Sequence, residues 1–216
     1  MQTGTDKLSW REKAGYGVGD IGFNFYWANI SAFLLIFYTD VFGISAAAAG
    51  TMMLVTKIID AFTDPMMGAI ADRTRSRFGK FRPYLLWLAL PLAGAGVLTF
   101  TTPDLPEGGK LLWAYGTYSL LMLIYTGINI PYSALSGVMT RDSQQRTELI
   151  SFRFIGGFIG GILVTYFTPK LVVWLGQGNE VLGWQLTMAV FGIVAALLFL
   201  TTFLTSRERV EPVGEQ

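Results

Sequence analysis

The sequence predicts an all-α membrane protein with six transmembrane helices, and three observations carry that expectation. Of the 216 residues, 52% are hydrophobic and only 14% are charged, a balance that a soluble domain of this length rarely shows. Six apolar stretches approach or exceed the roughly 20 residues that a helix needs to cross about 30 Å of hydrocarbon. The connectors between them are polar and rich in the Gly, Pro, Asn and Asp that end helices. Helix is expected throughout, because backbone exposed to lipid must satisfy its own hydrogen bonds.

The first span covers 21–38 and ends in YTDVFGIS. The second, 46–71, runs into the basic loop DRTRSRFGKFRP, and the third, 83–102, is followed by TPDLPEGGK. The fourth, 111–138, contains Pro131, which loosens the helix beside Asn129, and leads into MTRDSQQRTE. In the fifth, 149–175, the run GGFIGG holds two overlapping Gly-x-x-x-Gly spacings, so this helix should approach another closely. The sixth, 184–204, follows LGQGNEVLG. The transmembrane domain is assigned to 1–209, with 210–216 as a cytoplasmic tail or the start of a linker. No short apolar core with a cleavage site precedes span one, which is therefore the expected insertion signal.

Charge and composition narrow the function. With a net charge of +1 and neither histidine nor cysteine, the chain has no electrostatic footprint for nucleic acid, no disulfides, and few of the ligands that zinc, haem or thiol chemistry needs. No nucleophile–base constellation stands out, so neither an enzyme nor a bound cofactor is expected. Twelve of the sixteen Lys and Arg lie in the two terminal segments and in the second and fourth connectors. Lys110 and Lys170 fall on the opposite side, while Lys57 and Arg153 lie within spans. By the positive-inside rule both termini are cytoplasmic.

Span two poses the chemical question, because it carries Lys57, Asp60 and Asp64. At 1.5 Å per residue, Lys57 lies roughly 16 Å and Asp60 roughly 21 Å into the span. The spacing i, i+3, i+7 puts all three on one helical face. Each costs roughly 2.5–3.5 kcal/mol to insert unpaired, so they must face protein or water. One reading is a satisfied Lys–Asp bridge with an incidental second carboxylate. The other is a carboxylate pair that binds Na⁺ or exchanges H⁺, its oxygen shell completed from Thr56, Thr63, Thr126 or Asn129.

The stretches YTDVFG, IIDAFTDPMMGAIADRTRSRFGKFRPY, INIPYSAL and FRFIGG together resemble the glycoside-pentoside-hexuronide:cation symporter family, relatives of melibiose permease within the major facilitator fold. The resemblance runs from about Lys7 to Arg209 and covers the first six of the usual twelve helices. It implies one half of a transporter in a bacterial inner membrane, taking up a glycoside, pentoside or hexuronide by alternating access, with Na⁺ or H⁺ as the coupling ion. Cation binding falls to Asp60 and Asp64, with Thr63 and Thr126 nearby and Lys57 as charge partner. Thr63 stands where melibiose permease has Asn, and Asn24 and Asn129 stand where its sugar site has acids. Tyr26, Trp27, Ser133 and Arg153 are further sugar-site candidates, and ordinary packing is the plain alternative for the two aromatics. Asp20, in GYGVGD, is a helix-packing position or a cavity residue. A related Gly-x-x-x-Asp-Arg signature in major facilitators assigns Gly68, Asp72, Arg73 and Arg77 to gating. The expected partners are the sugar, membrane lipid and a second six-helix half, supplied by the same longer chain or by a homodimer copy. The competing reading is a channel or a non-transporting assembly subunit whose buried charges are structural only.

The charge distribution makes a topological prediction. Tags inserted after Asp104 and after Gln177 should be labelled from outside intact cells, and tags at both termini should not. An externally accessible C-terminus overturns the six-span reading.

Overall fold

A computed structural model describes residues 7–210. Apart from Val210, the assigned tail 210–216 lies outside the described residues. These residues form helices only: α1 (Trp10–Ile36), α2 (Ala46–Arg73), α3 (Pro83–Trp87), α4 (Ala89–Thr99), α5 (Glu107–Met139), α6 (Ser143–Gly176) and α7 (Glu180–Thr205). Four of them, α2, α5, α6 and α7, are long and apolar enough to cross a membrane. The 27-residue α1 is long enough too, but carries Arg11, Glu12, Lys13 and Asp20.

Helix starts follow side-chain chemistry. Ser9 and Glu12 form a reciprocal capping box at α1, and Ser45, Asp142 and Asn179 accept amide hydrogens at the starts of α2, α6 and α7. Two expectations are corrected. The third span is not one helix, because Leu88 (φ −103°, ψ −6°) separates α3 from α4. Pro91 supplies the reason: it has no N–H for the Trp87 carbonyl, and its ring crowds that oxygen. The YTDVFG stretch is not a simple loop either. It continues α1 through a π-helical turn over Phe37–Val41, with the Phe42 amide donating to the Phe37 carbonyl at 2.9 Å. Gly43, at φ +79°, ends the turn, and Lys110 Nζ donates to the Phe42 carbonyl at 3.2 Å.

Packing is uneven around the bundle. Helix α1 lies against α6 and α7, α4 sits between α5 and α7, and α2 leans on α5 and barely meets α1. Between α1 and α6 the contact is backbone on backbone. A Cβ on Gly156 would run into the Gly17 carbonyl, and one on Gly160 would stand 2.7 Å from Asn24 Cβ and 3.0 Å from the Ile21 carbonyl oxygen. The Gly-x-x-x-Gly spacing in span five thus finds its partner in α1. At one end of the bundle the chain segments knit together. The Leu8 amide donates to Gln145 Oε1 at 2.5 Å, Lys13 pairs with Glu148, and the Arg209 and Val210 amides both donate to the Val138 carbonyl at 2.8 and 3.0 Å. The basic terminal segments therefore share one end with the starts of α1 and α6 and the end of α5.

The two halves of GGFIGG should respond differently to substitution. Gly156→Ala should destabilise the purified protein by about 1–3 kcal/mol, the usual cost of overpacking. Gly161→Ala, where nothing stands within 4 Å of the added atom, should leave thermal unfolding in detergent unchanged or slightly raised. Equal shifts would show that the α1–α6 seam does not depend on these glycines.

Candidate cation and solute site

The face of α2 carrying Lys57, Asp60 and Asp64 is held chiefly by α5. Lys57 Nζ stands 3.7 Å from Asp60 Oδ2, one helical turn on, and 4.4 Å from the centre of the Trp27 ring on α1. The other Asp60 oxygen, Oδ1, is buried and accepts no hydrogen bond from any described residue. Asp64 Oδ1 accepts from Thr126 Oγ1 of α5 at 3.0 Å. Thr63 Oγ1 lies 3.4 Å from the Asp60 carbonyl, to which it donates, and Thr56 donates to the Met52 carbonyl at 2.9 Å. Both hydroxyls keep their lone pairs. Two carboxylates, one with an unpartnered oxygen, together with threonine hydroxyls form a donor set suited to a hard monovalent cation.

A second cluster joins α1, α5 and α6. Arg153 donates from Nε and Nη2 to Asp20 Oδ1, each at 3.2 Å, and from Nη1 to Ser133 Oγ at 3.2 Å. Its guanidinium lies 4.6 Å over the Tyr132 ring. Beneath it, Tyr16 and Tyr132 stack at 4.7 Å and exchange hydrogen bonds, each hydroxyl donating to the other's backbone carbonyl at 3.0 and 2.6 Å. Beside this cluster opens a cavity of about 330 Å³ lined by Asp20, Asn24, Trp27, Tyr125, Asn129 and Arg153. Trp27 and Tyr125 stack at 6.2 Å with 29° between their planes. A flat aromatic pair beside two amides and a fork of N–H donors can hold a polyhydroxylated ring, apolar face on aromatic and hydroxyls on polar groups.

The structure therefore brings Asn24, Trp27, Asn129 and Arg153 to one wall, and Ser133 to Arg153. Tyr26 does not reach it. Being next in sequence to Trp27, it points away from the cavity, fully buried against Gly96 and Gly192. Asp20 proves to be the partner of Arg153. Tyr125, absent from the sequence-based candidates, adds to the aromatic wall, and its place one residue before Thr126 was the available signal.

The gating candidates sit at the knitted end but do not pair with one another. Asp72 pairs with Lys80 at 3.7 Å, Arg77 lies 4.5 Å over the Phe78 ring, and Arg73 is exposed at the end of α2. Gly68 faces Ile130 with room for a methyl group. The anchor of this loop is Glu208, whose carboxylate accepts the amides of Lys80, Phe81 and Arg82 at 2.7, 2.8 and 2.9 Å. Gly79 is required there twice over. Its φ is +105°, and a Cβ would stand 2.5 Å from the Glu208 carboxyl carbon. Arg82 ties the same loop to α7 through the Phe203 carbonyl at 2.6 Å.

With this geometry in place, the family model for the MFS/sugar transport protein family matches residues 15–215. The chain belongs to that family. Among relatives of this MFS/sugar transport chain, the uncharacterized symporter YnaJ of Bacillus subtilis (strain 168) is 51% identical over 94% of the chain and 44% of its own length. The inner membrane symporter YicJ of Escherichia coli (strain K12) is 47% identical over 96% of the chain and 45% of its own length. An isoprimeverose transporter of Lactiplantibacillus pentosus is 37% identical over 95% of the chain and 43% of its own length. These relatives bear out the resemblance to glycoside-pentoside-hexuronide:cation symporters, and the chain is an integral membrane protein. It spans less than half the length of each of them.

At the knitted end, the MFS/sugar transport chain carries a pH-sensitive tie. Glu12, ahead of the first span, accepts from the Ser9 amide and hydroxyl, both at 2.9 Å, and from Arg209 Nη2 at 2.5 Å. Burial acts to raise its carboxyl. The Ser9 amide, the Arg209 guanidinium and the Ser9 hydroxyl outweigh that and hold it below the ordinary value of 4.5. A lowered folded-state value means that the tie stabilises fully above the unfolded value and is lost as pH falls through the folded one. Glu12→Gln should cost about 1 kcal/mol at neutral pH. Its thermal-unfolding curve should then converge with wild type as pH falls below 4.5. A constant gap down to the most acid pH tested would refute the tie.

Proposed function

We propose that this chain is the six-span half of a secondary active transporter that couples Na⁺ or H⁺ movement to uptake of a glycoside, pentoside or hexuronide. In this reading α3 and α4 together make the third crossing, α1 with its π turn makes the first, and the basic end knitted by Lys13–Glu148 and Glu12–Arg209 is cytoplasmic. Asp60 and Asp64 hold the coupling ion with Thr63 and Thr126, and Lys57 is the counter-charge. Asn24, Trp27, Asn129, Ser133 and Arg153 form one wall of the solute site. The observation that carries the reading is the pairing of two sites on adjacent helices: a buried, incompletely partnered carboxylate on α2 and an aromatic–amide cavity on α1 and α5. A structural bridge alone accounts for Lys57 and Asp60 but not for the Asp64–Thr126 pair or the cavity.

In a fold of two six-helix halves, the solute site lies between them. A second half, from the same longer chain or a second copy, supplies the facing wall. Phe154, Phe158 and Ile162 on the open side of α6 are each well over half exposed, which suits such a partner. Membrane potential and concentration gradients drive the cycle, and no covalent step is involved.

The test is ion dependence in proteoliposomes containing the intact transporter. Asp60→Asn and Asp64→Asn should abolish cation-driven accumulation while leaving labelled-for-unlabelled sugar exchange measurable. The cation's effect on sugar affinity, on the order of tenfold for coupled sites, should fall towards one. Wild-type ion dependence in both variants removes the assignment. Mass measurement in detergent followed by uptake on the isolated chain addresses the second half, since transport by a monomer would refute the need for it.

A further inference from the structure

Lys57 touches both sites at once. Its ammonium is 3.7 Å from Asp60 Oδ2 on its own helix and 4.4 Å from the Trp27 ring centre on α1. Trp27 in turn stacks on Tyr125 and lines the solute cavity with Asn24 and Asn129. Elsewhere α2 leans on α5 and barely meets α1. The Lys57–Trp27 contact is therefore a direct physical link from the carboxylate face of α2 to the cavity wall on α1.

We infer that Lys57 and Trp27 form the relay by which cation occupancy of Asp60 sets the affinity of the solute cavity. The inference rests on the coupled-transport reading above and adds to it a path between the two ligands. Its chemistry is competition. The ammonium occupies the place beside Asp60 Oδ2 that a coupling cation must share, and two positive charges on one carboxylate repel strongly away from bulk water. Cation binding drives Lys57 off Asp60. The side chain is half exposed (50%) while that of Asp60 is not (12%), so Lys57 is the member of the pair with room to swing. Freed from the carboxylate, the ammonium keeps its one other described anchor, the electron-rich face of Trp27. The indole then re-seats against Tyr125 and changes the surface offered to the sugar. Run in reverse, a sugar that binds the re-seated indole without displacing the ammonium favours the arrangement with Lys57 off Asp60 and tightens cation binding, as reciprocity between coupled ligands requires. The element has two discrete arrangements, Lys57 on Asp60 or off it, and each ligand favours the same one.

The experiment measures sugar affinity with and without the coupling cation and takes the ratio, using the intact transporter and a labelled glycoside. Wild type should show a ratio on the order of tenfold. Trp27→Leu and Lys57→Met should bring the ratio close to one, with sugar still binding at a cation-independent affinity. Lys57→Met should also bind the cation more tightly, since the competing ammonium is gone. Lys57→Arg and Trp27→Tyr, which keep a cation and an aromatic face, should restore most of the ratio. A purely structural role for either residue would lower both affinities together and leave the ratio intact, and that result overturns the relay. As a check independent of whether Trp27→Leu folds, adding cation without sugar should change tryptophan emission in wild type and not in Trp27→Tyr. The same change in both proteins also overturns it. A wild-type ratio of one, with sugar binding intact, instead removes the cation-coupled reading itself.

Discussion

Arg153 reaches from α6 to α1 and α5 at once, and much of the arrangement of this half-bundle depends on that reach. A guanidinium inside an apolar helix must find acceptors, and its three hydrogen bonds go to two of them, one on α1 and one on α5, so that α6 cannot shift against either helix without breaking a bond. Asp20 takes two of its N–H groups and Ser133 a third, while the Tyr132 ring covers its face. The Tyr16–Tyr132 exchange lies directly beneath and joins the same two helices, α1 and α5. Charge neutralisation and helix docking are here one event. The cavity beside the cluster inherits its shape from it, since Asp20 and Arg153 are both structural clamp and lining.

The charged face of α2 obeys the same constraint in a looser form. Lys57 satisfies only part of Asp60, and Thr126 only part of Asp64. Where Arg153 ties three of its N–H groups to acceptors on two other helices, the α2 face leaves one Asp60 oxygen with no described donor. A guanidinium tied to two other helices is held in place, whereas a carboxylate with an unpartnered oxygen keeps the acceptor capacity that the proposed ion binding needs.

Much of this was legible in the sequence wherever the signal is local. The spacing of Lys57, Asp60 and Asp64 places them on one face by helical geometry alone, and the glycines of 156–161 announce a close contact without naming its partner. Capping residues such as Ser9 and Asp142 likewise mark helix starts directly. The failures share a cause in long-range or backbone geometry. Tyr26 and Trp27 differ by one helical step, which sends one into the core and the other to the cavity. A propensity for aromatics cannot distinguish them. The Asp20–Arg153 pair spans 133 positions, and Glu208 binds three successive amides, a recognition with no side-chain signature. The break at Leu88 does have a local signal, because Pro91 stands four residues past the Trp87 carbonyl and has no N–H to offer it.

The backbone seam between α1 and α6 sets how this half can move. Ordinary helix interfaces interleave side chains, and a rotamer change lets them slip into a neighbouring register at little cost. Where Gly156 lies on the Gly17 backbone and Gly160 on Asn24 Cβ and the Ile21 backbone, α6 offers no side chain of its own to re-interleave, so that pair has one register and behaves as a single stiff beam. Helix α2, fastened mainly along α5, is by comparison a leaf on a spine. Motion in this half is therefore expected at the edge between leaf and beam, which is where the ammonium of Lys57 bridges the gap.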